Sequence, residues 1–128
     1  MPQPIPINVP EVPPNNATYS QAVRLGDLVV ISGQLGLDPQ SRQPVEGGIQ
    51  AQTRQALENV SAVLAAAGSS MAQVAKVNIY ITDFSLLGQM NLVYAEYFPH
   101  RPAKTTVEIS RLDRDALIEI EVFASATP

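Results

Sequence analysis

The sequence predicts an α+β fold in which one sheet packs against two helices. In five segments apolar residues alternate with polar ones, as in strands that bury one face. Two longer segments carry apolar residues at helical spacing, and the seven elements follow the order β-β-α-β-α-β-β. The 128 residues suffice for one domain, residues 1–128, with one core.

Each predicted element has a local signal. Residues 1–14 hold six of the eleven prolines and predict an extended arm in which Ile5 and Ile7 form an edge strand. Thr82 or Asp83 can cap the second helix. The other elements are strands at about 20–24 and 28–33 with a turn at Gly26-Asp27, a helix at 49–67, a strand at 74–82, a helix at 84–98, and strands at 105–110 and 117–124 joined by a short polar turn.

The last predicted strand has one apolar and one half-polar face. Ile118, Ile120 and Val122 share the apolar side, whereas Glu119 and Glu121 project from the other, roughly 7 Å apart. Two helices on one side of the sheet leave this second face without a cover, so we expect it to be buried in a closed symmetric oligomer. Its predicted polar members are Lys76, Asn78, Glu108, Glu119 and Glu121.

Composition excludes several functional classes. Eight basic and twelve acidic residues give a net charge of -4, which argues against a nucleic-acid partner. No apolar run approaches the roughly 20 residues of a membrane span. The chain has no cysteine for a disulfide, a thiol nucleophile or a zinc site. Since no signal peptide is evident, we expect a cytoplasmic protein.

The familiar catalytic motifs are missing from the sequence. His100 is the single histidine and follows Pro99 in a loop, so we expect no metal site and assign His100 a surface role. Lys104 beside the amides of a glycine turn suits a small carboxylate, and a nearby glutamate can position or deprotonate water. The alternative is that Lys104 is a solvated loop lysine and Glu119 a surface strand residue. The candidate residues are Tyr19, Ser32, Gly33, Asn91, Lys104 and Glu119.

Several blocks of the chain together resemble the Rid family of reactive intermediate deaminases, also called the YjgF or endoribonuclease L-PSP family. The blocks are YSQAV, VVISGQLGLDP, QTRQALENVSAVLAAAG, VAKVNIYITD, RPAKTTVEISRL and IEIEVFA. The resemblance implies a chorismate-mutase-like fold and a homotrimer whose sheets line a central barrel, with ligand sites between subunits. It also implies hydrolysis of reactive imines or enamines, such as 2-iminopropanoate and 2-iminobutanoate, to 2-keto acids and ammonia without a cofactor.

The resemblance further implies roles for individual residues. In the family's scheme an arginine binds the substrate carboxylate, a serine-glycine turn adds polar contacts and a glutamate handles water. We therefore predict Glu119 and Ser32 as catalytic residues and the following as substrate-binding residues: Lys104, Gly33, Tyr19, Asn91 and Arg101.

The lysine at position 104 departs from the family pattern, which has arginine there. Lysine lacks the planar fork of arginine, and the loss of one charge-assisted hydrogen bond costs roughly 1.5–3 kcal/mol. Arg101 is the better placed substitute in sequence, ahead of Arg111. Two functions remain open: imine hydrolysis with Lys104 as the anchor, or a non-catalytic trimeric protein that binds small carboxylates such as keto acids and has a regulatory role.

Overall fold

Six strands and two helices make up the computed structural model, which describes residues 2–13 and 18–126. The elements are β1 (Ile5–Ile7), β2 (Ala22–Leu25), β3 (Leu28–Leu35), α1 (Gly48–Ala66), β4 (Val74–Ile81), α2 (Leu87–Tyr97), β5 (Ala103–Glu108) and β6 (Ile118–Ser125). The predicted α+β class and the predicted order of elements are confirmed. The predicted edge strand is present as β1, while residues 1 and 14 of the predicted arm lie outside the described residues.

One face of the sheet forms the core with the two helices. The strands form a single sheet in the order β1-β2-β3-β6-β4-β5. On β6 the predicted apolar side, Ile118, Ile120 and Val122, is fully buried, and it packs with Leu57 of α1 and Met90 of α2. Removing this apolar surface from water provides the main stabilisation of the fold. No helix among the described residues covers the opposite face of the sheet, which we call the open face.

The two C-terminal strands are not neighbours, contrary to the prediction of two strands joined by a short turn. Strand β4 lies between them and pairs with β5 in parallel and with β6 in antiparallel orientation. A parallel pair needs a crossover connection, and α2 provides it between β4 and β5. Residues 109–117 then lead from the edge of the sheet to β6, with a short 3-10 turn at Asp113–Asp115.

Two residues lie on the face opposite to the one predicted. Glu108 is level with the buried Ile81, so it lies on the helix side, where its Oε1 accepts a hydrogen bond of 2.8 Å from the Phe84 amide. The alternation of VAKVNIYIT predicts Ala75 on the apolar face of its strand together with Val77, but Ala75 is exposed. A bulge at the start of β4 shifts the pairing between Val74 and Lys76, and such a shift re-aims the side chains.

Asp83, one of the two predicted caps, caps the 3-10 turn that precedes the second helix, whereas α2 itself follows Leu86 without a side-chain cap. Asp83 Oδ1 accepts a hydrogen bond of 2.8 Å from the Ser85 amide, and a 3-10 turn at Phe84–Leu86 leads into α2. Within the described part of the chain, neither helix combines the length and the apolar character that a membrane span requires.

Candidate functional site

Glu119 lies on the open face and crosses the backbone of β3 at Gly33. A Cβ atom at position 33 would lie 2.6 Å from Glu119 Cδ and 2.7 Å from Glu119 Oε1. The pairing of β3 with β6 shifts between Ile31 and Gln34, so the bulge on β3 lies at this contact. Glycine is therefore the residue that lets the carboxylate lie against the strand.

The surroundings of Glu119 favour its protonated form. Burial raises the pKa of Glu119, and the negative charges of Glu121 and Asp113 raise it further. No described residue donates a hydrogen bond to its carboxylate. A raised pKa makes a carboxyl group a more available proton donor, which is the direction that a general acid-base catalyst requires.

Ser32 and Tyr19 lie on the same side as Glu119. Ser32 Oγ donates a hydrogen bond of 2.7 Å to the carbonyl oxygen of Ser20, the residue after Tyr19. This bond holds the segment that carries Tyr19 and leaves the Ser32 oxygen free to accept a further hydrogen bond. Burial raises the pKa of Tyr19, as do the charges of Glu119 and Asp113, which indicates that the phenol lies near Glu119. We call Tyr19, Ser32, Gly33 and Glu119 the acid half-site.

Lys104 is held on the helix side of the sheet edge by two residues of α2. Its Nζ donates a hydrogen bond of 2.6 Å to Asn91 Oδ1 and lies 4.2 Å from the ring centroid of Tyr94. The ring face attracts the cation, while partial burial lowers the pKa of Lys104. An ammonium group has three N–H donors, so two remain for a ligand. We call Asn91, Tyr94 and Lys104 the cation half-site.

The two half-sites lie on opposite faces of the sheet within one chain. Lys104 is paired with Val77 of β4, which in turn is paired with Val122 of β6. Both valines are buried under the helices, so Lys104 lies on the helix side of the sheet. Glu119 is level with Tyr80 on the open face. Positions 104 and 119 are also separated by two strand spacings, roughly 10 Å, and by about 10 Å along the sheet. One chain therefore cannot place both groups around one small ligand.

Two further residues singled out in the sequence lie in the turn between α2 and β5. Arg101 is exposed in the turn between α2 and β5, where its backbone has a φ of 57° and its amide donates to the Phe98 carbonyl. His100 Nε2 is 2.9 Å from the Val74 carbonyl oxygen, which ties the same turn to the start of β4. Among the described residues, no three histidine, aspartate or glutamate side chains are grouped to hold a metal ion.

Comparisons with known proteins place the chain in a family. The model for the endoribonuclease L-PSP family matches residues 10–126. The chain is a member of this family, the Rid family. A RutC family protein of Pyrococcus horikoshii is 50% identical over 107 residues, or 83% of this chain and 85% of that protein.

Two other Rid relatives have informative descriptions. A 2-iminobutanoate/2-iminopropanoate deaminase of Dermatophagoides farinae is 39% identical over 116 residues, which cover 90% of this chain and 91% of that protein. The crystal structure of E. coli TdcF with bound serine matches with a TM-score of 0.89 at 33% identity, covering 96% of this chain and 99% of TdcF.

Sequence reasoning gave no functional role to two aromatic residues of this Rid protein, Tyr94 in the cation half-site and Tyr80 next to the acid half-site. The helical spacing predicts Tyr94 as a core residue of the second helix, and it is buried, but the face of its ring also contacts Lys104. The spacing of three residues between Asn91 and Tyr94 places both on one helix face and could have indicated the pair. Tyr80 was not singled out as a functional residue, because its contact with Glu121 depends on strand pairing.

Proposed function

We propose that the protein hydrolyses small imines or enamines of 2-oxo acids to the 2-keto acid and ammonia, in sites formed between the chains of a homotrimer. The observation that carries the proposal is the division of the candidate residues into two half-sites on opposite faces of the sheet. A cyclic assembly brings the helix-side edge of one chain against the open face of the next, and so joins a cation half-site to an acid half-site.

The open face supports an assembly of this kind. Leu28 on β3 is 42% exposed, Phe123 on β6 is 38% exposed and Val107 on β5 is 39% exposed in the single chain. Strand register places all three side chains on the open face, beside Lys76 and Tyr80. Exposed apolar side chains on one sheet face indicate a surface that another protein covers. We propose that neighbouring copies of the chain cover it.

Each half-site has a defined part in the proposed reaction. Lys104 binds the substrate carboxylate through an N–H donor that Asn91 does not use. Ser32 and Tyr19 orient the substrate, and Glu119 transfers protons between water and the nitrogen that leaves as ammonia. The deaminase name of the Dermatophagoides relative supports this reaction class. Ribonuclease activity is not proposed, because a chain with a net charge of -4 offers little attraction to a phosphate backbone.

One observation favours a second candidate function, the binding of small carboxylates without turnover. Lys104 stands where the family pattern has arginine, and a lysine offers a point charge instead of a fork. The TdcF structure contains bound serine, a small carboxylate. On this alternative the same trimer binds keto acids or amino acids and regulates another process.

Mixing two inactive variants tests the proposed site directly. Lys104→Ala removes the cation and Glu119→Gln removes the acid, and each variant alone should lose imine hydrolysis. When the two are co-expressed, a site formed between chains is intact wherever an unaltered Lys104 meets an unaltered Glu119. Random mixing in a cyclic trimer restores about one quarter of the wild-type sites. An amino-acid oxidase generates the imine, and capture by semicarbazide reports how long it survives.

Three outcomes separate the possibilities. Recovery near one quarter of wild-type activity supports sites formed between chains. No recovery from mixed trimers, with an active wild type, places both residues in one chain and refutes the arrangement. A wild type that leaves the imine lifetime unchanged but binds 2-ketobutyrate in calorimetry favours the binding function.

A further inference from the structure

A second carboxylate next to Glu119 is fixed in place by two hydrogen bonds. Glu121 Oε1 accepts a bond of 2.8 Å from the Tyr80 hydroxyl and one of 3.2 Å from Asn78 Nδ2. In the β4–β6 ladder Asn78 is directly opposite Glu121, whereas Tyr80 is directly opposite Glu119. Tyr80 thus reaches diagonally along the sheet to Glu121. These two bonds fix the position of the Glu121 carboxylate, whose charge raises the pKa of Glu119.

Glu119 has the opposite environment although it lies only two residues away. Its carboxylate is half-buried against Gly33 and receives no hydrogen bond from the described residues. The titratable groups that face Glu119 come from four segments: Glu121 on its own strand, Asp113 in the preceding turn, Tyr80 on β4 and Tyr19 before β2. The positive charge of Arg114 acts on Tyr19. Burial raises the pKa of Glu119, and the charges of Glu121 and Asp113 raise it further.

We propose that Tyr80, Asn78 and Glu121 are positioning residues: Tyr80 and Asn78 hold the Glu121 carboxylate beside Glu119, and the charge of Glu121 favours the protonated form of Glu119, which is the form that donates a proton in the reaction. This inference rests on the proposed imine hydrolysis and makes the role of Glu119 more specific. Glu119 is then first a proton donor to the substrate nitrogen and only afterwards a base toward water. Glu121 acts through Glu119 and does not touch the substrate.

The proton balance of the reaction fits this order. The Glu119 carboxylic acid protonates the imine nitrogen, which gives an iminium ion and a carboxylate. Water adds to the iminium carbon, and the carboxylate takes the proton that the water releases, which restores the carboxylic acid. Transfer of this proton to the amino group lets the carbon–nitrogen bond break and ammonia leave, while the hydroxyl proton returns to Glu119 as the carbonyl forms. The sum is imine plus water to keto acid plus ammonia, with no other reactant.

Glu121→Gln removes the charge and keeps an oxygen that can accept both hydrogen bonds. A unit charge about 7 Å away changes the protonation ratio of a neighbouring group by roughly 3- to 50-fold for effective dielectric constants between 80 and 20. Carbon-13 NMR of protein labelled at the glutamate carboxyl carbon follows this ratio, with the Glu119 resonance assigned by its loss in Glu119→Gln. We expect Glu119 to titrate at lower pH in Glu121→Gln, and to shift in the same direction but less in Tyr80→Phe.

Glu46→Gln is the matched control, because it makes the same change of charge at an exposed carboxylate in the loop before α1. It should leave the Glu119 titration where it is in the wild type. Circular dichroism and sedimentation verify that every variant folds and assembles as the wild type does. An unchanged Glu119 titration in a folded Glu121→Gln protein overturns the proposal.

The pH profile of the reaction gives the second readout. If Glu119 is a proton donor, kcat/KM declines on the alkaline side, and Glu121→Gln moves that decline to lower pH with a loss of roughly 3- to 50-fold on the alkaline limb. A purely structural role would lower the rate equally at all pH values and refutes the proposal. If the wild type does not hydrolyse imines but the Glu119 titration shifts in Glu121→Gln, the charge interaction between Glu119 and Glu121 is supported. The proposed reaction and the role of Glu119 as a proton donor are then both refuted.

Discussion

Replacing Lys104 by arginine should raise the rate of imine hydrolysis. In the cation half-site Lys104 Nζ already donates to Asn91 Oδ1 at 2.6 Å and lies 4.2 Å from the Tyr94 ring centroid. A guanidinium group can stack on the same ring, keep a bond to Asn91 and still present two parallel N–H groups to a carboxylate. One additional charge-assisted hydrogen bond contributes roughly 1.5–3 kcal/mol, which corresponds to about a ten- to hundredfold increase in kcat/KM if it is formed in the transition state.

The semicarbazide assay measures this change on purified trimers. Lys104→Met is the matched control, since it keeps a long unbranched side chain over Tyr94 and removes the charge; its kcat/KM should fall below that of the wild type. A thermal melt of each variant tests for loss of folding. The reasoning is refuted if the arginine variant gains nothing and the methionine variant loses nothing while both remain assembled, because the substrate carboxylate is then bound elsewhere.

Two further predictions follow from the contacts of Gly33 and Tyr94. Gly33→Ala should lower kcat by at least about tenfold, because the new Cβ would lie 2.6 Å from Glu119 Cδ and displace the carboxylate. Gly88→Ala is the control, since its new Cβ would have no atom within 4 Å. Unchanged turnover in Gly33→Ala would contradict the prediction. Burial raises the pKa of Tyr94 to about 12, whereas the same side chain in the unfolded chain has a pKa of about 10. The unfolded chain therefore releases the phenol proton at a lower pH than the folded chain, and the free energy of unfolding falls as the pH rises above about 10. Tyr94→Phe lacks this loss, and urea titrations should show that it keeps about 1.4 kcal/mol more of its neutral-pH stability at pH 11; equal losses in both proteins would be the contrary result.

The sequence predicted the elements of the fold because their signals are local. Alternation in VAKVNIYIT and IEIEVFA indicated strands with one buried face, and the buried residues of β4 and β6 confirm it for Val77 and Val122. Helical spacing located both helices to within a few residues of their observed ends. The family assignment likewise depended on blocks of consecutive residues, and the match over residues 10–126 confirms it.

Local sequence signals could not predict which strands pair with each other or which face of a strand packs against the helices. Alternation divides the residues of a strand between two faces, but it does not show which face packs against the helices when both faces carry polar residues. For this reason Glu108 was predicted on the wrong face of the sheet. Strand order follows from hydrogen bonds between residues far apart in the chain, and so the separation of β5 from β6 by β4 could not be read from the short connection between them.

The sequence alone determined which side chains this protein has available for chemistry: a lysine, a glutamate, a serine-glycine turn, a tyrosine and an asparagine, on elements whose types it also specified. The tertiary structure decided how they are grouped, with Glu119 against Gly33 on one face and Lys104 against Tyr94 on the other. The physical reason is that side-chain chemistry and periodicity belong to neighbouring residues, whereas the face and register of a strand are set by whichever distant segments pair with it and cover it.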